Sequence, residues 1–177
     1  MAASSTKTRR HDPGEPLGDY FPTQVRLACD DDALYVACCC EHAGVVLYSH
    51  ENEGRRDGSI FFNSDTIELF LGPDTGAQQY VHLAVDHTNT QYHEHRPEGG
   101  VNWDADWHSA VAKHEGVWRL ELAIPFAELG FGAPSRVERR RANLCRSFGQ
   151  QGQLSCWAPT WGSFHNFLFF GRLTWGQ

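Results

Sequence analysis

Hydrophobic and polar residues alternate with a period of two along several stretches of this chain of 177 residues. Because successive side chains of a β-strand point to opposite faces of a sheet, this alternation predicts half-buried strands. The first two, at 23–29 and 33–40, flank three consecutive aspartates and are predicted to form a hairpin. Further strands are predicted at 65–71, 79–86, 90–95, 110–114, 117–124, 141–146 and 169–175.

One segment, at 125–131, has the pattern of a short helix, with Pro125 at its first position and Gly130 near its end. Many short strands with turn residues between them and a single short helix predict an all-β protein, an antiparallel β-sandwich of jelly-roll or immunoglobulin-like type. Residues 1–22 are polar and rich in Gly and Pro, so they predict a flexible N-terminal arm. The length suits one sandwich domain at 23–177.

Composition narrows the classes of partner. The chain has 15 Lys+Arg against 22 Asp+Glu, a formal charge of −7, and its basic run is confined to 139–141. A phosphate backbone attracts clustered positive charge, so we expect no nucleic-acid partner. No stretch approaches the about 20 apolar residues that span a bilayer, which argues against a membrane partner. The basic N-terminus precedes no apolar segment, so we predict no signal peptide in this chain.

The sequence lacks the GxSxG, HExxH, GxGxxG and Walker motifs, and we therefore predict a protein that is not an enzyme. None of the six cysteines has CxxC spacing. The run Cys38–Cys40 is interpreted as small hydrophobes within a strand, with a metal or redox site as the alternative. Four histidines are either solvated strand residues or part of a metal site. They are His82, His87, His93 and His95.

The aspartates between the first two strands are also a candidate cation site. Carboxylate oxygens are the ligands that calcium prefers, so Asp30, Asp31 and Asp32 are weak candidates for a metal site. Short Asp side chains also bond to the local backbone, and a plain turn is the favoured interpretation.

The six tryptophans fall into two groups. Trp118 and Trp175 follow strand alternation and are assigned to the core. The others neighbour Asp, Asn, Gly or Pro, in segments predicted to be loops: Trp103, Trp107, Trp157 and Trp161. Flat aromatic faces in loops suit the apolar C–H face of a sugar ring, and packing against the domain is the alternative.

Several stretches occur in an order typical of one known family. They are 23–37, 63–73, 118–130, 141–146 and 155–157, followed by 164–165 and 170–173. Together the stretches resemble a family 9 carbohydrate-binding module, in the group of cellulose- and xylose-binding β-sandwich domains.

The resemblance implies a non-catalytic module that belongs to a larger plant-polysaccharide-degrading enzyme and is secreted or extracellular. The ligand would be a polysaccharide or oligosaccharide such as xylan or cellulose, bound by aromatic stacking, and family members can carry structural calcium. Phe62, six residues before Glu68, and Trp157 would be the two stacking rings. Glu68 would accept hydrogen bonds from sugar hydroxyls, and Arg146 or His82 would supply donors.

The sequence departs from the family pattern in two ways. Phe62 stands where the family has tryptophan, which predicts weaker stacking. The opening strand before the hairpin is missing, so either the sandwich is trimmed or the arm at 11–22 takes its place. A trimmed edge predicts a homodimer.

Two other functions are alternatives to sugar binding: a haem-binding domain of the same fold group, and a structural or interaction domain without a sugar ligand. Because Met1 is the only methionine, haem would need two histidines from 82–95.

Overall fold

The computed structural model describes residues 21–42, 58–61, 64–75, 78–96, 103–135, 137–148 and 152–175. Most of the predicted arm, residues 1–20, and the predicted stacking residue Phe62 lie outside these ranges. The described chain contains ten strands, numbered in chain order. They are β1 Thr23–Cys29, β2 Ala33–Glu41, β3 Asp65–Pro73, β4 Tyr80–Asp86, β5 Gln91–Arg96, β6 His108–His114, β7 Val117–Pro125, β8 Arg139–Phe148, β9 Gln153–Cys156 and β10 Gly171–Thr174.

The strands form two antiparallel sheets, which confirms the predicted β-sandwich. The first sheet has the order β1-β2-β7-β6. The second has the order β10-β8-β3-β4-β5, and β9 also pairs with β8. Every predicted strand overlaps an observed one. Strand β9, Gln153–Cys156, is not among the predicted strands.

The predicted helix at 125–131 is a single 3₁₀ turn, Phe126–Leu129. Pro125 precedes it in an extended conformation, and Gly130 ends it with a φ of 73°, a left-handed value that glycine adopts without steric cost. Two other 3₁₀ segments are Gly58–Phe61 and Phe167–Phe169. None of the helical segments in the described ranges is long and apolar enough to cross a membrane.

The core lies between the two sheets. Alternate residues of β2 and β7 in the first sheet meet alternate residues of β3 and β4 in the second, for example Leu120 and Leu69. Trp118 is fully buried there, as its strand pattern predicts, and Trp175 packs at the margin. Trp107 lies in an irregular segment immediately before β6, as predicted, but its ring is buried in the core and is not available to a sugar.

Strands β3 and β4 are buried on both faces, whereas their sequences predict one solvated face. The cover on the outer face comes from segments without strand alternation. Thr66 donates a hydrogen bond of 2.9 Å to the carbonyl of Ile60, and the ring of Phe70 packs against that of Phe170 with centroids 5.4 Å apart. The outer face of the second sheet is therefore a semi-enclosed surface rather than an open one.

The start of the described chain also packs into the sandwich. Phe21, which was assigned to the predicted arm, is buried beside Phe148 with ring centroids 5.5 Å apart. The Pro22 carbonyl accepts a hydrogen bond from the amide of Glu41. Strand β1, which follows directly, lies at one edge of the first sheet among the described strands.

The cysteine run follows the strand alternation. Cys38 and Cys40 face the core, and Cys39 is half-buried on the opposite face. Burial raises the pKa of the Cys38 thiol to about 12, so this side chain stays protonated at neutral pH. Such thiols behave as small hydrophobes, in line with the favoured interpretation.

Candidate functional site

The candidate site lies on the outer face of the second sheet, where three neighbouring strands present polar and aromatic side chains. The pairing register puts Phe70, His82 and Glu94 in one row across β3, β4 and β5. The adjacent row holds Glu68 and Tyr92 on either side of an alanine. These residues share one face because they are separated by two positions along each strand.

A carboxylate and an imidazole meet at the centre of this face. His82 Nε2 lies 2.9 Å from Glu68 Oε2, and the two residues are only 2% and 5% exposed. The imidazole also stacks on the ring of Phe70, with centroids 4.3 Å apart and an interplanar angle of 9°. The pair is thus held rigidly at the floor of the site.

Aromatic rings surround His82 on its other sides. The ring of Phe61 lies 5.7 Å from the imidazole, that of Tyr92 5.5 Å and that of His165 5.0 Å. Phe61 belongs to the 3₁₀ segment before β3, and Tyr92 to β5. The rings of Phe61, Tyr92 and His165 are all half-buried, so they form a partly exposed rim around the buried pair.

One ring nitrogen of this central histidine is unsatisfied. His82 Nδ1 is buried and has no hydrogen-bond partner among the described residues. Its distance to Glu94 Oε2 is 4.0 Å, too long for a hydrogen bond. Glu94 in turn lies 2.8 Å from Arg96 Nε. Burial and the nearby Glu94 carboxylate raise the pKa of Tyr92. A ligand hydroxyl would find both an imidazole nitrogen and carboxylate oxygens here.

The loop after β9 supplies the other wall. His165 Nδ1 shares a hydrogen bond of 3.0 Å with the Tyr80 hydroxyl, and burial lowers the pKa of His165, so its ring is neutral at pH 7. Asn166 Nδ2 donates to the carbonyl of the buried Thr160 over 3.1 Å, which ties the loop back on itself. Trp161, which follows Thr160 in the chain, is 80% exposed and has a left-handed φ of 50°.

The structure brings together two of the predicted site residues, Glu68 and His82. Phe62 lies outside the described residues, next to Phe61. Trp157 packs against the core between the sheets and lies so close to Gly171 that a Cβ there would come within 2.5 Å of the indole. Its ring is therefore part of the packing and does not join Glu68.

Arg146 is also on the inner side of the second sheet. Its guanidinium forms a bidentate ion pair with Asp65, at 2.7 Å from Nε to Oδ1 and 2.5 Å from Nη2 to Oδ2. The same group donates to the carbonyl of Glu41, and Trp118 Nε1 donates to Asp65 Oδ2. Arg146 is 3% exposed and cannot reach the outer face, so it is a structural cation and not a donor at this site.

The weak metal candidates form a turn. Asp30 Oδ1 accepts hydrogen bonds from the amides of Asp32 and Ala33, and its Oδ2 accepts one from the Tyr35 hydroxyl. These bonds, the one to Asp32 foremost, lower the pKa of Asp30. Among the described residues, no group of three or more His, Cys, Asp or Glu side chains is arranged to hold a metal ion. The Asp30 carboxylate is engaged in the hydrogen bonds of a turn, as the favoured interpretation predicts.

The histidine cluster is divided between two faces. His82 points outward, whereas the register of His93 and His95 places them on the inner side of β5. Both lie beside Trp103, with centroids 5.2 and 5.9 Å away, and Trp107 Nε1 donates to His93 Nδ1. His82 therefore cannot share a haem or a metal ion with His93 or His95.

Sequence reasoning missed several residues of the site. Glu94 and Tyr92 alternate along β5 and could have been found by extending the pattern from His82 across the hairpin. Phe61 was missed by one position. His165 lies in a loop without periodicity, where the sequence carries no signal for which side chains fold back onto a sheet. Trp161, in the same loop, is one of the four tryptophans that the sequence predicts in loops.

Known structures share this architecture. A carbohydrate-binding module of family 9 from Caldicellulosiruptor kristjanssonii in complex with cellotriose matches with a TM-score of 0.67 at 15% identity, covering 91% of this chain and 78% of that one. Its complex with glucose matches equally, with 80% of that chain covered. A protein from Bacteroides uniformis, whose description proposes carbohydrate binding, matches with a TM-score of 0.65 at 17% identity, covering 86% of this chain and 78% of that one.

No family model and no curated protein matches the sequence. At these identities the structural matches establish the fold, the β-sandwich of the family 9 modules.

Proposed function

We propose that this chain is a non-catalytic carbohydrate-binding module that binds saccharide on the outer face of its second sheet. The observation that carries the proposal is the Glu68–His82 pair, buried at the centre of an aromatic rim, where His82 Nδ1 finds no hydrogen-bond partner in the described part of the chain. Buried polar groups are normally hydrogen-bonded, so an unsatisfied one facing a partly exposed site favours a ligand that supplies the missing partner.

The chemistry of the site favours a neutral, polyhydroxylated ligand. Sugar hydroxyls donate to the carboxylates of Glu68 and Glu94 and accept from Arg96. The apolar C–H faces of the sugar rest on the rings of Phe61 and Tyr92. Two carboxylates, Glu68 and Glu94, accompany one guanidinium in the site, and this excess of carboxylates disfavours anionic sugars.

Cellulose-type chains are the favoured ligand, with xylan as the other candidate. Modules with this fold have been solved with glucose and with cellotriose, and a β-1,4-linked chain presents flat apolar faces along its length. Trp161 lies in the same loop as His165, its ring is exposed, and a hydrogen bond between Asn166 and Thr160 fixes this loop. We assign Trp161 to a second sugar ring of the chain.

The biological setting follows from the same proposal. A module of this kind has no reaction of its own and acts by holding an attached enzyme close to its substrate. We therefore propose that it belongs to a larger polysaccharide-degrading enzyme and acts outside the cell.

Isothermal titration calorimetry of the full chain against glucose, cellotriose and xylotriose tests this function. Binding is expected, and it should weaken by about tenfold or more in Glu68→Gln, since a hydrogen bond to a charged group is lost. Glu115→Gln, in the exposed turn between β6 and β7, is the matched control and should bind like the wild type. A folded wild-type chain that binds none of these sugars contradicts the proposal.

A further inference from the structure

The outer face of the first sheet carries a groove that has no part in the site described above. It is an open cavity of about 630 Å³ lined by outward-facing residues of β1, β2, β6 and β7. Its floor is built from alanines, including Ala28, Ala37, Ala110 and Ala123, which leave space between the taller side chains.

One aromatic ring stands in this groove. The register places Tyr35 between Ala28 on β1 and Ala123 on β7, so small side chains flank the ring on both sides. Tyr35 is 40% exposed, yet its hydroxyl donates a 2.8 Å hydrogen bond to Asp30. The Asp30 carboxylate is itself fixed by two backbone amides, so the exposed ring is held in one orientation before any ligand arrives.

Charges in the groove are balanced. In the row next to Tyr35, Arg26 and Glu121 lie on either side of Ala37, about 10 Å apart across the strands. His108 is the other titratable group of the lining besides Tyr35. One cation and one anion give no net charge, which disfavours a strongly charged ligand and suits a neutral one that offers both donors and acceptors.

A second copy of the chain is a poorer occupant. A stable protein interface has a core depleted of charged residues. Packing two of these faces together would bury Arg26 and Glu121 in the middle of the interface, because they flank the floor at Ala37. A saccharide, in contrast, combines an apolar ring face for Tyr35 with hydroxyls at its edge for the charged groups.

We propose that this groove is a second saccharide-binding site, for a neutral glucan chain, with Tyr35 as its stacking platform. It lies on the opposite sheet from Glu68 and shares no residue with the first site, so it stands or falls independently of the proposed function. Two faces that bind the same polymer would raise the apparent affinity for long chains without a new contact at either face.

Affinity electrophoresis of the full chain in gels that contain hydroxyethylcellulose, a soluble neutral glucan, tests the second site. Glu68→Gln weakens the first site, and we expect this variant to remain retarded. Adding Tyr35→Ala should weaken the remaining affinity by about twofold to tenfold. Tyr35→Phe, which keeps the ring, should retain this affinity, and Ala37→Gln, which fills the floor in the row next to Tyr35, should reduce it.

The outcomes separate the two sites. If Glu68→Gln abolishes retardation while Tyr35→Ala alone leaves it unchanged, the second site is refuted and the first is supported. If Tyr35→Ala abolishes retardation and Glu68→Gln has no effect on it, the first site is refuted and the second is supported. No retardation of the wild type contradicts both. Light scattering that detects a dimer lost in Tyr35→Ala would assign the groove to a second copy and overturn the proposal.

Discussion

Two buried acid–base pairs lie three residues apart on β3 and point to opposite faces. Asp65 faces inward and pairs with Arg146, while Glu68 faces outward and pairs with His82. The inner pair is fully satisfied: its guanidinium and carboxylate also bond to backbone carbonyls and to Trp118. The outer pair leaves His82 Nδ1 without a partner among the described residues and is bordered by half-buried rings.

Burial alone does not distinguish a structural ion pair from a ligand-binding pair. Both pairs are nearly inaccessible, but only the outer one has unused hydrogen-bonding capacity that a ligand can fill. The inner pair links three segments, because Arg146 on β8 donates to the carbonyl of Phe21 at the start of the described chain and to that of Glu41 on β2. We interpret the first as a structural element and the second as a binding element.

The largest expected effect is on the inner pair. Arg146→Ala should lower the free energy of unfolding by about 3–5 kcal/mol, because Asp65 is left buried without its cation. Urea denaturation measures this loss. Arg119→Ala, exposed on the first sheet, is the control and should change stability by less than about 0.5 kcal/mol. A small loss in Arg146→Ala would show that the inner pair is not what holds this region together.

A smaller stability effect is expected at the outer pair. His82→Phe leaves Glu68 buried without its partner and should cost about 1–3 kcal/mol. Adding Glu68→Met should recover most of that stability, since two apolar side chains then replace the pair. Binding of cellotriose over the pair, followed by NMR shifts of the His165 ring, should stay lost in both variants. If the double variant still shows those shifts, the distinction between the two pairs fails.

Trp161 is predicted to affect binding alone. Trp161→Ala should weaken binding of cellotriose by about twofold to tenfold, and binding of glucose less, because the indole stacks on a second ring. The melting temperature should not fall, since the side chain is 80% exposed. Leu168→Ala, 65% exposed in the same loop, is the matched control. Equal losses for glucose and cellotriose would remove Trp161 from a chain-extending role.

The smallest expected effect is a pH dependence of stability that arises from His165 in the loop after β9. Burial lowers the pKa of His165 below 6.5, so the unfolded chain binds more protons than the folded one below that pH. Stability should therefore fall as the pH drops through about 6.5 and level off below the folded-state pKa. His165→Asn should flatten this slope in denaturation measured from pH 5 to 8, and His114→Asn, exposed at the end of β6, should not. An unchanged slope in His165→Asn would contradict the burial argument.

The sheets could be predicted from the sequence because strand alternation reports which side chains face the core. The alternation also placed Glu68 on a strand, and the hairpin places His82 next to it. Alternation separates the two faces of a strand but does not show which face meets the other sheet. It therefore could not show that Arg146, expected as a ligand donor from the family resemblance, faces inward to Asp65.

The loop residues were beyond the sequence for a different reason. The half-burial of Trp157 and the exposure of Trp161 depend on which way an irregular backbone turns, and no periodic pattern in the sequence reports that direction. The left-handed φ of Trp161 and the close contact between Trp157 and Gly171 fix that choice only in three dimensions.

The central claim is that saccharide binds over the Glu68–His82 pair, and the imidazole signals of His82 report on it directly. We predict that titrating the chain, labelled with ¹⁵N in its histidines, with cellotriose shifts the NMR resonances of the His82 and His165 rings and leaves His114 unchanged. Binding detected by calorimetry without any shift at His82 and His165 would contradict the claim.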